Sequence, residues 1–184
     1  MLYNESNINE SGGLLAGKRG LFITIEGIDG SGKTTHVERL SAVLEERGCT
    51  VIQLREPGGT DIGESIRGIL LSRKNGGMTS ETELLLFEAA RAQLVRDVIE
   101  PALAAGKIVL SDRFMDSTVA YQGYGRGMDL DLINRLNAFA VGSCRPDLTI
   151  LLDVEPLEAA GRVHKRSVSD RMDDAGLTFM ERTR

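Results

Sequence analysis

Cysteine and histidine are scarce in this chain, two of each in 184 residues, and no long unbroken apolar run occurs. Each shortage excludes something. Cys49 and Cys144 stand far apart, with no Cys-x-x-Cys pair, and the histidines are too few to complete a zinc site. The expectation is two idle or buried thiols in a reducing cytoplasm. No stretch approaches the roughly 20 apolar residues of a membrane-spanning helix, so no membrane partner is expected. The formal net charge of −5 argues against general nucleic-acid binding, so cationic groups for an anionic substrate must be local. Residues 1–19 hold only Leu14-Leu15-Ala16 as an apolar core, with the basic residues after it, the wrong order for a signal peptide. They read as a flexible N-terminal extension, and residues 20–184 as one domain, since no repeat or low-complexity tract divides them.

What is present is a phosphate-binding loop. An apolar, β-prone run, Leu21-Phe22-Ile23-Thr24-Ile25, leads into Glu26-Gly27-Ile28-Asp29-Gly30-Ser31-Gly32-Lys33-Thr34-Thr35. A helical pattern follows in which Val37, Leu40 and Leu44 share a face. Gly27, Gly32, Lys33 and Thr34 fill Gly-x-x-x-x-Gly-Lys-Thr between strand and helix, as the motif requires. Glycines let backbone N–H groups turn inward around phosphate oxygens, and the new helix adds its positive end. Lys33 supplies a charge for the β- and γ-phosphates, and the Thr34 hydroxyl suits Mg²⁺. The motif implies a nucleoside triphosphate bound with Mg²⁺.

Further along, strands alternate with helices, which predicts a parallel sheet covered on both faces. Thr50 to Arg55 reads as a second strand, entered after Gly48 as a helix C-cap, and it delivers Arg55 and Glu56 to the ligand crevice. Asp61 with Glu64, and Ser80 with Glu83, look like capping pairs opening two helices, with Ser72 to Thr79 as loop between. In the second helix Leu84, Phe87, Arg91, Leu94 and Val98 share a face, widened by Leu85, Val95 and Ile99. Phe87 and Arg91 at i and i+4 let a ring stack on a flat ligand while the guanidinium bonds its edge; the alternative is a core phenylalanine and a snorkelling arginine. Pro101 should interrupt that helix and Gly106 end it.

Lys107 to Ser111 is the third predicted strand, carrying Asp112 toward Mg²⁺, directly or through water, and Arg113 toward a phosphate. Asp116 to Gly123 is dense in hydrogen-bonding side chains, and Gly123, Gly125 and Gly127 suggest a loop around Arg126. A helix over Asp129 to Val141 and a fourth strand, Leu148 to Asp153, follow, and Pro156 suits a helix first turn. From about residue 160 to 174, basic residues including Arg162, Arg166 and Arg171 crowd a stretch with few large apolar ones. It is either a solvated helix end or a lid that closes over phosphates. No Asn-Lys-x-Asp guanine signature is present.

Together these segments resemble the bacterial thymidylate kinases from about Gly20 to Arg184. The resemblance rests on the phosphate loop, Arg55-Glu56-Pro57-Gly58-Gly59-Thr60, Phe87-Glu88-Ala89-Ala90-Arg91, Asp112-Arg113-Phe114, Ser117-Thr118-Val119-Ala120-Tyr121-Gln122-Gly123 and Arg145-Pro146-Asp147-Leu148-Thr149 with Leu152-Asp153. It implies a P-loop α/β fold with a short basic lid, and transfer of the γ-phosphoryl of ATP to dTMP in a cytoplasmic homodimer. Family members continue beyond the Phe179 to Arg184 region with another helix, a final strand and a closing helix. ATP and Mg²⁺ would be held by Gly27 through Thr35 (Gly27, Ile28, Asp29, Gly30, Ser31, Gly32, Lys33, Thr34, Thr35) with Thr34 and Asp112 at the metal. Because the loop has no arginine between Gly27 and Lys33, the resemblance places the catalytic arginines in the lid, at Arg162, Arg166 or Arg171, beside Lys33. On the acceptor side Phe87 would stack on thymine and Arg91 bond its edge. Arg113 would grip the dTMP phosphate, with Asp29 near sugar and phosphate and Arg55, Glu56 and Ser117 close by. Thr118 and Gln122 would read the base, and Tyr121 would crowd out a ribose 2′-hydroxyl. A broader nucleoside monophosphate kinase and a catalytically silent ATP-binding module remain alternatives.

Overall fold

The computed structural model describes residues 19–163, 171–172 and 176–184. Of the expected N-terminal extension only Arg19 falls among them, and it belongs to the folded unit: its Nη1 donates to both Asp147 carboxylate oxygens, at 2.9 and 2.7 Å.

Four strands form one wholly parallel sheet: β1 (Phe22–Glu26), β2 (Val51–Arg55), β3 (Ile108–Asp112) and β4 (Leu148–Leu151), ordered β2-β3-β1-β4. Side chains alternate between its faces, as period two demands. Phe22 of β1 and Val109 of β3 enter one core with Leu94, Val95, Ile99, Leu103 and Val141. Ile25, Ile108 and Leu110 enter the other, with Val37 of α1 (Lys33–Glu46). Each such fully buried aliphatic or aromatic side chain is worth roughly 1.5–3 kcal/mol, so the two cores hold the sheet rigid between helix layers. That is the α/β architecture the strand–helix alternation predicted.

The helices differ from expectation mainly at their ends. The N-cap of α2 (Asp61–Leu71) is Thr60, whose hydroxyl accepts from Gly63 N, and that of α3 (Ser80–Leu94) is Thr79, accepting from Thr82 N. The sequence reading placed both caps one residue late, because Asp61 and Ser80 are themselves cap-type residues. A 3₁₀ turn, Arg73–Asn75, occupies the expected loop. Gly48 and Gly106 end their helices as predicted, at φ 80° and 74°, each with the paired 6→1 and 5→2 bonds of a Schellman motif. Leu85 points outward, 56 % exposed, and does not widen the core stripe.

Pro101 does interrupt the helix, and the form is specific. Lacking an N–H and colliding with the carbonyl four residues earlier, it is preceded by a π-helical turn, Val95–Ile99, before α4 (Glu100–Ala104). A second departure lies after β3. The expected glycine loop is instead α5 (Met115–Thr118) continuing into π-helical Val119–Gly125. Gly123 and Gly125 are helical because space is short, not because the chain must turn. A Cβ at Gly123 would lie 2.6 Å from Leu130, and one at Gly125 2.6 Å from Phe179. α6 (Leu130–Val141), α7 (Pro156–Val163) and α8 (Gly176–Thr183) complete the order.

Candidate active site

β1 and β3 are neighbours, so their carboxyl ends open side by side into one cleft of about 260 Å³. The phosphate loop bridges Glu26 of β1 to α1. Gly32 caps α1 in the left-handed region at φ 94°, and a Cβ at Gly30 would come within 2.3 Å of Ala159 O of α7, so both positions need glycine. Lys33 Nζ donates to Gly27 O and Ile28 O, each at 2.9 Å. Burial, with the Arg113 charge nearby, brings its ammonium down to about 8. The loop thus gathers backbone donors, a helix N-terminus and a buried cation at one point, the requirements of a triphosphate site.

Thr34 Oγ1 donates to Asp112 Oδ2 at 2.6 Å. Both oxygens face the cleft, and hydroxyl with carboxylate is the hard donor chemistry Mg²⁺ takes. Among the described residues no group of three or more His, Cys, Asp or Glu could hold a metal alone. The residues therefore fit an ion held mainly by phosphates and water, with two protein contacts.

Against the loop stands Arg113. Its backbone is in the left-handed region, φ 75°, costly for a residue with a Cβ, and Ser111 Oγ to Arg113 O (2.8 Å) and Arg113 N to Ile25 O (3.0 Å) hold it there. The strain turns the side chain into the cleft. Its Nη2 donates to Asp29 Oδ1 at 2.8 Å and Tyr121 Oη at 3.0 Å; its Nη1 donates to Ser117 Oγ at 2.9 Å and Gly27 O at 3.1 Å. Tyr121 Oη in turn donates to Asp29 Oδ2 at 2.9 Å. Burial opposes the charge on Asp29, but Arg113 and Lys33 outweigh it and hold the carboxyl well below the usual range. Burial pushes the Tyr121 phenol up. Behind this trio lies Glu26, which sequence reasoning gave no role. It accepts from Phe114 N at 2.7 Å and Ser117 Oγ at 2.6 Å, so it orients the hydroxyl that meets Arg113. A charged residue closing an apolar strand was the available signal.

The far wall carries Phe87, half-buried and lining the cleft with Thr118 and Gln122, and it belongs to neither core cluster. Arg91 also borders the cleft, yet its side chain is 2 % exposed. It donates from Nε to Glu56 Oε2 (2.9 Å), from Nη1 to Glu88 Oε1 (3.0 Å) and Asn137 Oδ1 (2.8 Å), and from Nη2 to Phe114 O (3.2 Å). The arginine in an apolar stripe thus has buried partners and does not snorkel. One guanidinium serves two buried carboxyls, so burial raises both Glu56, to about 7, and Glu88. Arg55 borders the cleft as expected, paired with Glu64 at 3.1 Å.

The basic stretch divides. Arg162 Nη1 donates to Gly30 O at 3.2 Å, beside the loop, and the guanidinium pairs with Glu158. Arg166 lies outside the described residues. Arg171 is a correction: its Nε donates to Leu70 O at 2.8 Å and its Nη2 pairs with Glu83 at 2.7 Å, leaving it 9 % exposed. So engaged at the end of α2, it is not among the residues that line the cleft. Arg67, whose Nη1 meets Pro57 O at 2.9 Å, also borders the cleft and was missed; no motif marks it.

Residues 25–184 match the thymidylate kinase family model. The chain is 53 % identical over 171 residues to a thymidylate kinase of Geobacter sulfurreducens, covering 90 % of this chain and 80 % of that one. It is 51 % identical over 166 residues to that of Desulforudis audaxviator, covering 90 % and 75 %. Among solved structures it is similar to the thymidylate kinase of Ehrlichia chaffeensis, with TM-score 0.69 and 46 % identity over 78 % of this chain and 80 % of that one. With the phosphate loop, the parallel sheet and an acceptor-sized cleft between them, the chain belongs to the thymidylate kinase family.

Proposed function

We propose that the cleft binds dTMP against Phe87 and Arg113 and ATP on the phosphate loop, and that the γ-phosphoryl passes between them to give dTDP and ADP. The observation that carries the reading is Arg113, a strained arginine held at the meeting point of Asp29, Tyr121 and Ser117 and bonded to the loop itself through Gly27 O. A monophosphate dianion entering there meets a guanidinium whose present partners are a carboxylate, two hydroxyls and a carbonyl. Thymine lies on Phe87, with Thr118 and Gln122 at its edge. Tyr121, tied to Asp29, then serves to crowd out a ribose 2′-hydroxyl.

The acceptor phosphate is already anionic, so no side chain need remove a proton from it. Lys33 and the N-terminus of α1 neutralise the donor phosphates, and Arg113 brings the acceptor oxygen into line. Thr34 and Asp112 would hold Mg²⁺, which would supply charge neutralisation to the phosphate oxygens. Arg162, beside Gly30 O, approaches from the other side, and Arg166 shares that role. Calorimetric titration tests the assignment: dTMP and MgATP should each bind one site independently, and thymidine, lacking the phosphate Arg113 grips, should bind at least tenfold more weakly than dTMP. Equal affinity for thymidine and dTMP contradicts it.

The partner reading is a homodimer. Leu85 on α3 and Leu132 and Phe139 on the adjoining α6 are exposed, Phe139 at 84 %, and they supply an apolar face for it. Light scattering at micromolar concentration checks it; a monomer mass removes it. No described helix is long and apolar enough to cross a membrane, and free Cys49 and Cys144 suit a reducing cytoplasm.

A further inference from the structure

Glu83 of α3 is 1 % exposed and does not border the cleft; it sits one layer behind it. Its Oε1 accepts from Gln122 Nε2 at 2.7 Å and Arg126 Nε at 3.2 Å. Its Oε2 receives Arg126 Nη2 at 3.1 Å and Arg171 Nη2 at 2.7 Å. Burial works against its charge, but the hydrogen bonds from Arg126, Gln122 and Arg171 keep it ionised. An ionised carboxylate can only accept. The Gln122 amide, which could face either way, must therefore turn its NH₂ to Glu83. Gln122 is itself 1 % exposed and borders the cleft; its main-chain carbonyl accepts from Met128 N at 3.2 Å, but its side-chain Oε1 has no donor among the described residues. One turn earlier the buried Thr118 hydroxyl likewise has no partner among the described residues.

We infer that Glu83 is a positioning residue for base specificity: by fixing the Gln122 amide it makes the cleft an acceptor for a ring N–H, so that pyrimidine-diones are taken and cytosine is refused. Thymine and uracil carry N3–H, a donor. Cytosine carries an unprotonated N3, which would set lone pair against lone pair and leave two buried acceptors facing each other. The two arginines matter here because they keep Glu83 charged, so that the amide has one orientation and not two. The inference rests on the dTMP-site reading and deepens it.

A carboxylate in this place could also serve only to tie α3 to the helix after β3. The two roles separate in the ratio of affinities for two bases. Dissociation constants for dTMP, dUMP and dCMP are to be measured by calorimetry on the full chain, wild type and Glu83→Gln. A neutral amide at 83 both donates and accepts, which frees Gln122 to rotate. The dTMP-to-dCMP preference should fall by roughly ten- to a hundredfold, with dUMP following dTMP. Glu83→Asp provides a second route should the first variant not fold. It keeps the charge for Arg126 and Arg171 but withdraws the oxygen from Gln122 by one methylene, and the same ratio should fall. Arg126→Met leaves Glu83 paired with Arg171 and its bond to Gln122 in place, so Glu83 stays charged; the variant should lower the melting temperature with the ratio within about twofold. If the Glu83 variants weaken dTMP and dCMP alike, or change neither, Glu83 is only a tie and the inference is overturned. A wild type that does not bind dTMP at all would instead overturn the acceptor-site reading beneath it.

Discussion

Thr34 and Asp112 are joined by a 2.6 Å hydrogen bond that runs from the first turn of α1 to the last residue of β3. It brings together the two oxygens best suited to Mg²⁺, at the seam where the phosphate loop meets the acceptor wall. Thr34→Val should raise the Mg²⁺ concentration for half-maximal activity several-fold at fixed ATP. Because Thr34 is exposed, the loss of one hydrogen bond should cost stability only about 0.5–1.5 kcal/mol. Titration of Mg²⁺ against rate, beside a melting curve, checks both. An unchanged Mg²⁺ requirement removes Thr34 from the metal site.

Phe87 borders the cleft and is absent from both core clusters, so its contribution should appear in ligand binding. Phe87→Ala should weaken dTMP by roughly 1–3 kcal/mol, the usual worth of a base–aromatic stack, and leave MgATP nearly unchanged. Had Phe87 been core, the substitution would cost about 3–5 kcal/mol of stability and affect both nucleotides. Calorimetry with each ligand separates these outcomes.

The sheet, the loop and the order of elements were legible because each rests on local signals: apolar runs, glycine spacing, helix periodicity. The place of Phe87 beside the cleft was legible for the same reason. The π-helical stretch Val119–Gly125 was not, since the glycines that mark it are small to admit Leu130 and Phe179, contacts set by distant chain. Arg91 announced itself only as an arginine in an apolar stripe. Its partners Glu56 and Asn137 lie 35 and 46 residues away. Arg171 failed in the opposite way. Within a run of basic residues it looked like its neighbours, and only the fold shows it bound to Glu83 and Leu70 O.

The carboxyls around Arg91 predict a pH dependence of stability. Glu56 titrates near 7 in the fold, raised by burial against the pull of Arg91, with Glu26 and Glu88 adding to the rise, compared with 4.5 for an ordinary glutamate. Between those values the folded chain keeps a proton that the unfolded chain has released, so this group makes stability fall as pH rises from about 4.5 to 7. Glu56→Gln removes that proton exchange. Relative to the wild type, the variant should gain on the order of 2 kcal/mol across the window. Urea unfolding at intervals of one pH unit measures the difference. Parallel pH profiles would mean that Arg91 keeps Glu56 ionised throughout.

Arg162 donates to Gly30 O, beside a loop with no arginine between Gly27 and Lys33. A group that acts mainly in the transition state changes turnover more than binding. Arg162→Ala and Arg166→Ala should each reduce kcat by about a hundredfold or more, with KM for ATP within a few-fold. Steady-state kinetics decide it. If both single variants and the double variant keep normal kcat, neither arginine serves the transition state.

Whether this cleft presents dTMP to ATP is read from the initial rate of ADP formation with a panel of monophosphates. With ATP and Mg²⁺ present, dTMP should support turnover, dUMP less, and dCMP, dAMP and UMP little. The product with dTMP should be dTDP by mass spectrometry. Equal turnover of all five would replace the account with a broad monophosphate kinase. ATP and dTMP both bound, with no ADP formed, would leave only a nucleotide-binding module and contradict it.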